Sequence, residues 1–337
     1  MTVELALVAN AGENTLATFQ LTPFGLQRLT VTALPGRCTT FAVDANRSLV
    51  FAACGNSIVT YALAATGELT ALSTRETPSG SNYLALTTDG TRLLGVSYGG
   101  NWGLVWPVDT KGTLSAPSAE VSFPKLHSVA VSNDGRTAYF VSLGADLIAS
   151  YTLGRDGSLT PLQETQAPAG SGPRHLALDA SEANLYVLTE FTADVLHYRR
   201  LPDGTLAFAG KTAAAIPGRG LGVSRLGADP RADHLIWGAD LHLAPNGRSL
   251  WATERTEATI ATLPVAPDGS LGQVTTYEET EAQPRGFCVT NDGRVLVCGE
   301  LSTEVSLYVP DADGLLVFQA RAETGKGANW ARSLVLD

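Results

Sequence analysis

The sequence predicts an all-β protein, a seven-bladed β-propeller of four-stranded antiparallel blades closed by pairing of the C-terminal strand with the N-terminal blade. Three observations predict it. The first is a glycine turn followed by leucine that recurs at Phe24-Gly25-Leu26, Gly67-Glu68-Leu69, Gly112-Thr113-Leu114, Gly157-Ser158-Leu159, Gly204-Thr205-Leu206, Gly269-Ser270-Leu271 and Gly314-Leu315. Its glycines are 42, 45, 45, 47, 65 and 45 residues apart, and a period near 45 made of short strands is that of one blade. The second is a repeat in step with the first. Arg47, Arg92, Arg136, Arg248 and Arg294 sit in turns of the Asp/Asn-Gly-x-Arg type, each between two alternating apolar runs, and Asp179 to Asn184 hold a degenerate copy. That is a hairpin signal. The third is the pair of chain ends. Leu5-Ala6-Leu7-Val8 reads as a second strand with no first strand before it, and Trp330 to Leu336 as a first strand with no partner. Pairing the two removes both free edges.

One unit can be read strand by strand. Arg174 to Leu178 forms strand A, Leu185 to Thr189 strand B, Val195 to Arg199 strand C and Leu206 to Ala209 strand D. No run has a helical period. The repeat overrides the length prior of two domains and makes residues 1–337 one domain. One interval breaks the period: the 65 residues from Gly204 to Gly269 hold an excess that places an insertion loop at about 211–233. Loops of that length are often lids or binding loops.

Composition narrows the function. Hydrophobic residues make up 44% of the 337, enough for a sizeable core, and charged residues 17%. A net charge of −10 argues against nucleic acid and anionic membrane surfaces. Met1-Thr2-Val3-Glu4 lacks the basic start of a signal peptide, and no apolar run is long enough to span a bilayer. Cys38, Cys54, Cys288 and Cys298 lie in apolar strand patterns without CxxC spacing and read as buried thiols. A cytoplasmic protein is expected, a monomer or weak homodimer.

The repeats separate scaffold from site. A residue type present in most units belongs to the blade, so the five turn arginines read as structural. In a propeller the D-to-A and B-to-C loops open on one face, so strand A starts and strand B ends crowd one mouth of the central channel. The B ends are Asn10, Cys54, Tyr98, Leu143, Glu190, Arg255 and Glu300; the A starts are Thr39, Asn82, His127, Arg174, Ala239, Arg285 and Arg332. Asp240 and His242 flank Leu241 in the same region. Convergent charges of both signs at such a mouth mark a site. His127, Arg174, Glu190 and Arg255 are the catalytic candidates; His175, Asp240, His242, Arg285, Tyr98, Glu300 and Trp330 are the substrate-binding ones. His127 titrates near neutrality and suits a general base and acid. Glu190 orients it or moves a second proton, Arg174 and Arg255 hold developing negative charge, and Arg285 suits a bidentate grip on a carboxylate or phosphate. No metal is expected, since His127, Asp240 and His242 lack diagnostic ligand spacing. No cofactor is expected either: the chain has no GxSxG elbow, P-loop or dinucleotide fingerprint.

At these residues the chain resembles the seven-bladed lactonase family, in particular its propeller-type 6-phosphogluconolactonases. The carriers are Gly172-Pro173-Arg174-His175, Ala239-Asp240-Leu241-His242, Gln283-Pro284-Arg285-Gly286-Phe287, Leu126-His127-Ser128, Ser97-Tyr98 and Glu254-Arg255-Thr256. The resemblance implies a hydrolase that opens a small-molecule sugar lactone. The same family includes carboxymuconate-cyclising enzymes, whose proposed catalytic His, Arg, Glu and Arg fall by motif on His127, Arg174, Glu190 and Arg255. A lactonising cycloisomerase is therefore the first alternative, and a non-catalytic binding scaffold the second.

Overall fold

A computed structural model describes residues 3–336; Met1, Thr2 and Asp337, the ends of the expected domain, lie outside the described residues. Twenty-eight strands form seven four-stranded antiparallel sheets, with no helix among the described residues. The unit read from sequence holds with small extensions: its strands are Pro173–Leu178, Asn184–Thr189, Asp194–Arg200 and Leu206–Ala213. The chain ends pair as expected. Ala328–Leu336 runs antiparallel to Val3–Asn10, with Leu5 opposite Leu334 and Leu7 opposite Arg332. This strand completes blade one, and the inner strands of all seven blades are neighbours around the ring.

Alternation along each strand builds the core. On the second strand of blade five, Leu185 and Val187 pack towards blade four while Tyr186 and Leu188 pack towards blade six. The second strand of each blade thus buries both faces between sheets, which is why strands such as Leu49–Cys54 are buried throughout. All four cysteines are buried free thiols inside this packing.

The two sequence repeats lie together on one face, where they staple adjacent blades. The repeated glycine adopts φ of +86° at Gly67 and +88° at Gly204, a backbone that glycine takes without strain. Its carbonyl accepts a bond from the preceding blade: Thr60 Oγ1 to Gly112 O at 2.8 Å, Tyr139 Oη to Gly204 O at 2.8 Å, Tyr186 Oη to Gly269 O at 2.7 Å. Trp251 Nε1 does the same to Gly314 at 3.0 Å. Three turn arginines add to this. Arg47 donates to the carbonyls of Gly90 and Asp109, Arg92 to that of Gly154, and Arg294 to that of Thr22.

At the opposite face the inner strands begin with a kink. The register slips by one residue at Thr39, His127, Arg174 and Arg285, and around Ala239 and Asp240. In blade three, Val96 faces Tyr83 and also accepts the amide of Asn82. A bulged residue leaves the ladder and its side chain is re-aimed; here a ring of side chains turns towards the axis. In blade one the bulged residue is Asn329. The expected Arg332 lies three residues further down, paired with Leu7, because the inner strand starts at Ala328 rather than at the apolar run.

The insertion starts later than expected, since the preceding strand runs to Ala213. It is docked rather than extended from the body. Ser224 N bonds Phe191 O, Tyr277 Oη bonds Ala215 O, and Thr256 Oγ1 bonds Leu235 O. It closes on Trp237, at the mouth.

Candidate functional site

The mouth is lined by a ladder of alternating charge. Arg174 Nε donates to Glu190 Oε2 at 2.8 Å, and Arg255 Nη2 reaches the same oxygen at 3.3 Å. Arg255 Nη1 stands 3.8 Å from Glu300 Oε2, and Arg285 Nε 3.7 Å from Glu300 Oε1. Gln283 Nε2 completes the grip on Glu300 at 2.6 Å. Bulges place Arg174 and Arg285, while Glu190, Arg255 and Glu300 follow the ends of second strands. Strands from blades five, six and seven are thus tied together by these side chains.

Burial sharpens every charge here. Arg174 is 1% exposed. Burial brings Arg255 down to about 9, helped by the neighbouring Arg174, so its guanidinium stays charged at neutral pH. Burial alone would raise Glu300, but Arg285 and Arg255 outweigh it and hold the carboxyl below its usual range. Trp237 lies across Arg255, the guanidinium 3.5 Å from the ring centroid, a stacking that suits arginine more than lysine.

His127 stands beside the ladder. Burial, then the charges of Arg174 and its neighbours, hold its imidazole well below the usual value, so it is neutral at pH 7. Its Nδ1 is buried without a hydrogen-bond partner. Tyr98 meets the ring edge-on at 6.0 Å between centroids, and Lys125 Nζ lies 4.8 Å over the Tyr98 ring. The four catalytic candidates therefore gather at one place: three share direct ion pairs, and His127 feels the field of both arginines.

Beneath this ring the channel is plugged. Tyr83 of blade three, His175 of blade five and Trp330 of blade one meet with centroids 5.1, 5.2 and 5.7 Å apart. Rings from three non-adjacent blades can touch only across the axis, so the mouth is a cup with an aromatic floor. Three of the expected substrate contacts lie in this floor or beneath it, engaged with protein partners. Trp330 is fully buried and donates Nε1 to Phe41 O at 3.1 Å. His175 is 1% exposed; burial, then Arg174, push it down to about 3, so its neutral ring accepts from Arg174 Nη1 and donates Nδ1 to Asp240 at 2.7 Å. Asp240 is also buried, both oxygens engaged by His175, Leu241 N, Phe287 N and His242. Burial opposes its charge, yet His242 and His175 hold the carboxyl well below the usual range. These groups hold Arg174 from below. His242 lies two residues further down the strand against Phe287, away from the ladder.

Sequence reasoning passed over Asn329, Tyr83, Lys125, Trp237 and Gln283. Gly327-Ala328-Asn329-Trp330 parallels Gly172-Pro173-Arg174-His175, and that parallel would have found Asn329. Its Nδ2 bonds Thr39 O at 3.1 Å and its Oδ1 is buried without a partner. Among the described residues no cluster of three His, Cys, Asp or Glu side chains fits a metal ion. A cavity of about 710 Å³ lies away from the mouth among Asp89, Arg92, Asp134 and Arg136. It is a gap between the stapled turns.

The sequence signature of the family described as Lactonase, 7-bladed beta-propeller matches residues 7–330. A relative from Serratia proteamaculans named 6-phosphogluconolactonase is 28% identical over 339 residues, covering 98% of this chain and 99% of its own length. A solved structure from Lactobacillus plantarum superposes with a TM-score of 0.88 at 17% identity, over 99% of this chain and 100% of that one. The periplasmic gluconolactonase of Pseudomonas aeruginosa gives 0.84 at 21% identity, over 99% of both chains. At these identities the two structural likenesses speak for the fold alone.

Proposed function

Because the chain belongs to the seven-bladed β-propeller lactonase family, we propose that it opens a sugar lactone by adding water, the substrate being 6-phosphogluconolactone or a related aldonolactone. The observation that carries this reading is the Glu190 carboxylate clamped between Arg174 and Arg255 beside an unprotonated His127. Relatives named for the same chemistry support it.

Hydrolysis needs a deprotonated water, a home for the oxyanion and a proton for the ring oxygen. A water at the mouth gives a proton to His127 as its oxygen bonds the lactone carbonyl carbon. The carbonyl electron pair moves onto oxygen, facing Arg174. Glu190 occupies Arg174 Nε, and His175 and the Ala239 carbonyl occupy Nη1. That leaves Nη2 for the oxyanion and fixes the guanidinium plane in advance. Collapse breaks the bond to the ring oxygen, which takes the proton from His127. The products are an alcohol and a carboxylic acid, which ionises and releases its proton to solvent.

A histidine held well below its usual pKa is a weak proton acceptor, so preorganised charge shares the work with proton transfer. One oxyanion donor in a dry site is worth about 10²–10³ in rate, and a general base about 10²–10⁴. The test is lactone opening followed by pH-stat on phosphorylated and plain sugar lactones, corrected for spontaneous opening. His127→Ala and Glu190→Gln should each lose at least about a hundredfold with the fold intact. Near-wild-type rates in both variants would overturn the assignment.

A further inference from the structure

In four blades the residue two places before the bulge takes a left-handed backbone. In blade five it is Gly172, at φ +64° before Pro173 and the bulged Arg174; in blade one it is Gly327, at φ +70° before Ala328 and Asn329. Blade four has Lys125 at φ +53° before Leu126 and His127, and blade seven has Gln283 at φ +59° before Pro284 and Arg285. A side chain in this region crowds the carbonyl that follows it, a clash that glycine escapes. Lys125 and Gln283 are therefore held against a local preference that two sister blades meet with glycine. Both carry a polar group to the mouth: Lys125 Nζ lies over the Tyr98 ring, and Gln283 Nε2 reaches Glu300.

Gln283 grips Glu300 at both ends. Its carbonyl accepts the Glu300 amide at 3.0 Å, and its Nε2 donates to Glu300 Oε2 at 2.6 Å. Among the described residues it is the one protein group that hydrogen-bonds this carboxylate.

A second, independent observation is the spacing along the ladder. Glu190 touches Arg174 at 2.8 Å, whereas Glu300 stands 3.7 Å from Arg285 Nε and 3.8 Å from Arg255 Nη1. A carboxylate left free between two guanidinium groups closes on one of them, at about 2.7–2.9 Å. Glu300 stops short of both. Its charge balances the two arginines, yet at these distances it takes up no N–H of either. Arg285, whose side chain is 12% exposed, makes one hydrogen bond among the described residues, from Nη1 to Thr39 O at 3.3 Å. It keeps N–H groups for a ligand.

We infer that Gln283 is a positioning residue, kept in a left-handed backbone so that its amide holds Glu300 short of Arg285 and Arg255 and leaves Arg285 donors open to substrate oxygens. For turnover this rests on the lactonase reading; for the place of Glu300 it stands on distances. Without the amide the carboxylate closes on an arginine. A substrate then has to displace it in ground state and transition state alike, which raises KM and leaves kcat little changed.

Three variants separate backbone from side chain. Gln283→Gly and Gln283→Ala remove the same hydrogen bond but differ in their tolerance of positive φ, and Gln283→Asn tolerates it with a side chain one methylene shorter. Gln283→Gly should melt about 2 °C above Gln283→Ala. All three should raise KM for gluconolactone about tenfold, the worth of one charge-assisted hydrogen bond, with kcat within about twofold. In a Glu300→Ala background, Gln283→Ala should add nothing further, because it acts through that carboxylate. A crystal structure of Gln283→Gly, or of Gln283→Asn if the glycine variant fails to fold, should show Glu300 within about 3 Å of a guanidinium nitrogen. Equal melting of the Gly and Ala variants, a carboxylate that stays in place, or Gln283 and Glu300 effects that multiply overturns the assignment even if lactone opening is confirmed. A protein that opens no lactone while Glu300 closes on an arginine keeps the positioning role and removes the lactonase reading.

Discussion

On the turn face of the ring, Arg47, Arg92 and Arg294 reach backbone carbonyls of the next blade; at the mouth, Arg174, Arg255 and Arg285 reach carboxylates. The first set recurs from blade to blade and meets groups that every blade offers. The second is confined to blades five, six and seven and meets Glu190 and Glu300, which blades five and seven supply. Each of these staples also pairs with an aspartate of its own turn, Asp44, Asp89 or Asp292, which cancels its charge locally. An ion-pair ladder stores oriented charge where a substrate arrives, and buried pairs of that kind are poor value as stability. Repetition therefore marks what the ring needs to close, and its interruption marks what the ring is for.

Four measurements can break or sharpen this contrast. The largest effect belongs to Arg174→Ala, which removes the proposed oxyanion donor and leaves Glu190 to Arg255 alone; lactone opening should fall about a thousandfold while thermal unfolding stays cooperative. A loss of less than tenfold would place the chemistry elsewhere. Next comes Arg92→Ala on the turn face, where a buried side chain loses its bond to Gly154: unfolding free energy from denaturant titration should drop by about 2 kcal/mol, with unchanged turnover per folded molecule. Smaller still is Arg136→Ala. That arginine shares the repeat, but its side chain makes no hydrogen bond or ion pair among the described residues, so stability should move by no more than about 0.5 kcal/mol. The last prediction is a flat line. His127 is held well below the usual histidine range, so its basic form is full at pH 7 and remains so as pH falls through 6.5. The acid limb of kcat/KM should therefore lie below pH 6.5, and a limb at or above that value would remove His127 as the base.

Much of this was legible because the chain carries internal controls. The glycine and arginine repeats located the blades, and Asn10 and Trp330 fell on strands that pair as the free edges required. Residues named by alignment at the strand starts, Thr39, Asn82, His127, Arg174 and Arg285, are those the bulges turn inward. What failed was distance across the axis. Nothing in a linear sequence says that Tyr83, His175 and Trp330 meet, so His175 and Trp330 read as mouth residues when they are floor. Arg332 was misplaced for a related reason: an apolar run shows where a strand is buried, not where its bulge lies. Trp237 sits in an irregular segment without period, and its stacking on Arg255 depends on how that segment folds back.

The aromatic floor has a last consequence for traffic. A ring of this kind offers a tunnel from face to face, but here three rings set edge to face bar it, so whatever comes in by the arginines must retrace its route to leave. The acid that the proposed lactone opening would form has to depart past the same cations, and accumulating acid should compete with fresh substrate for that doorway.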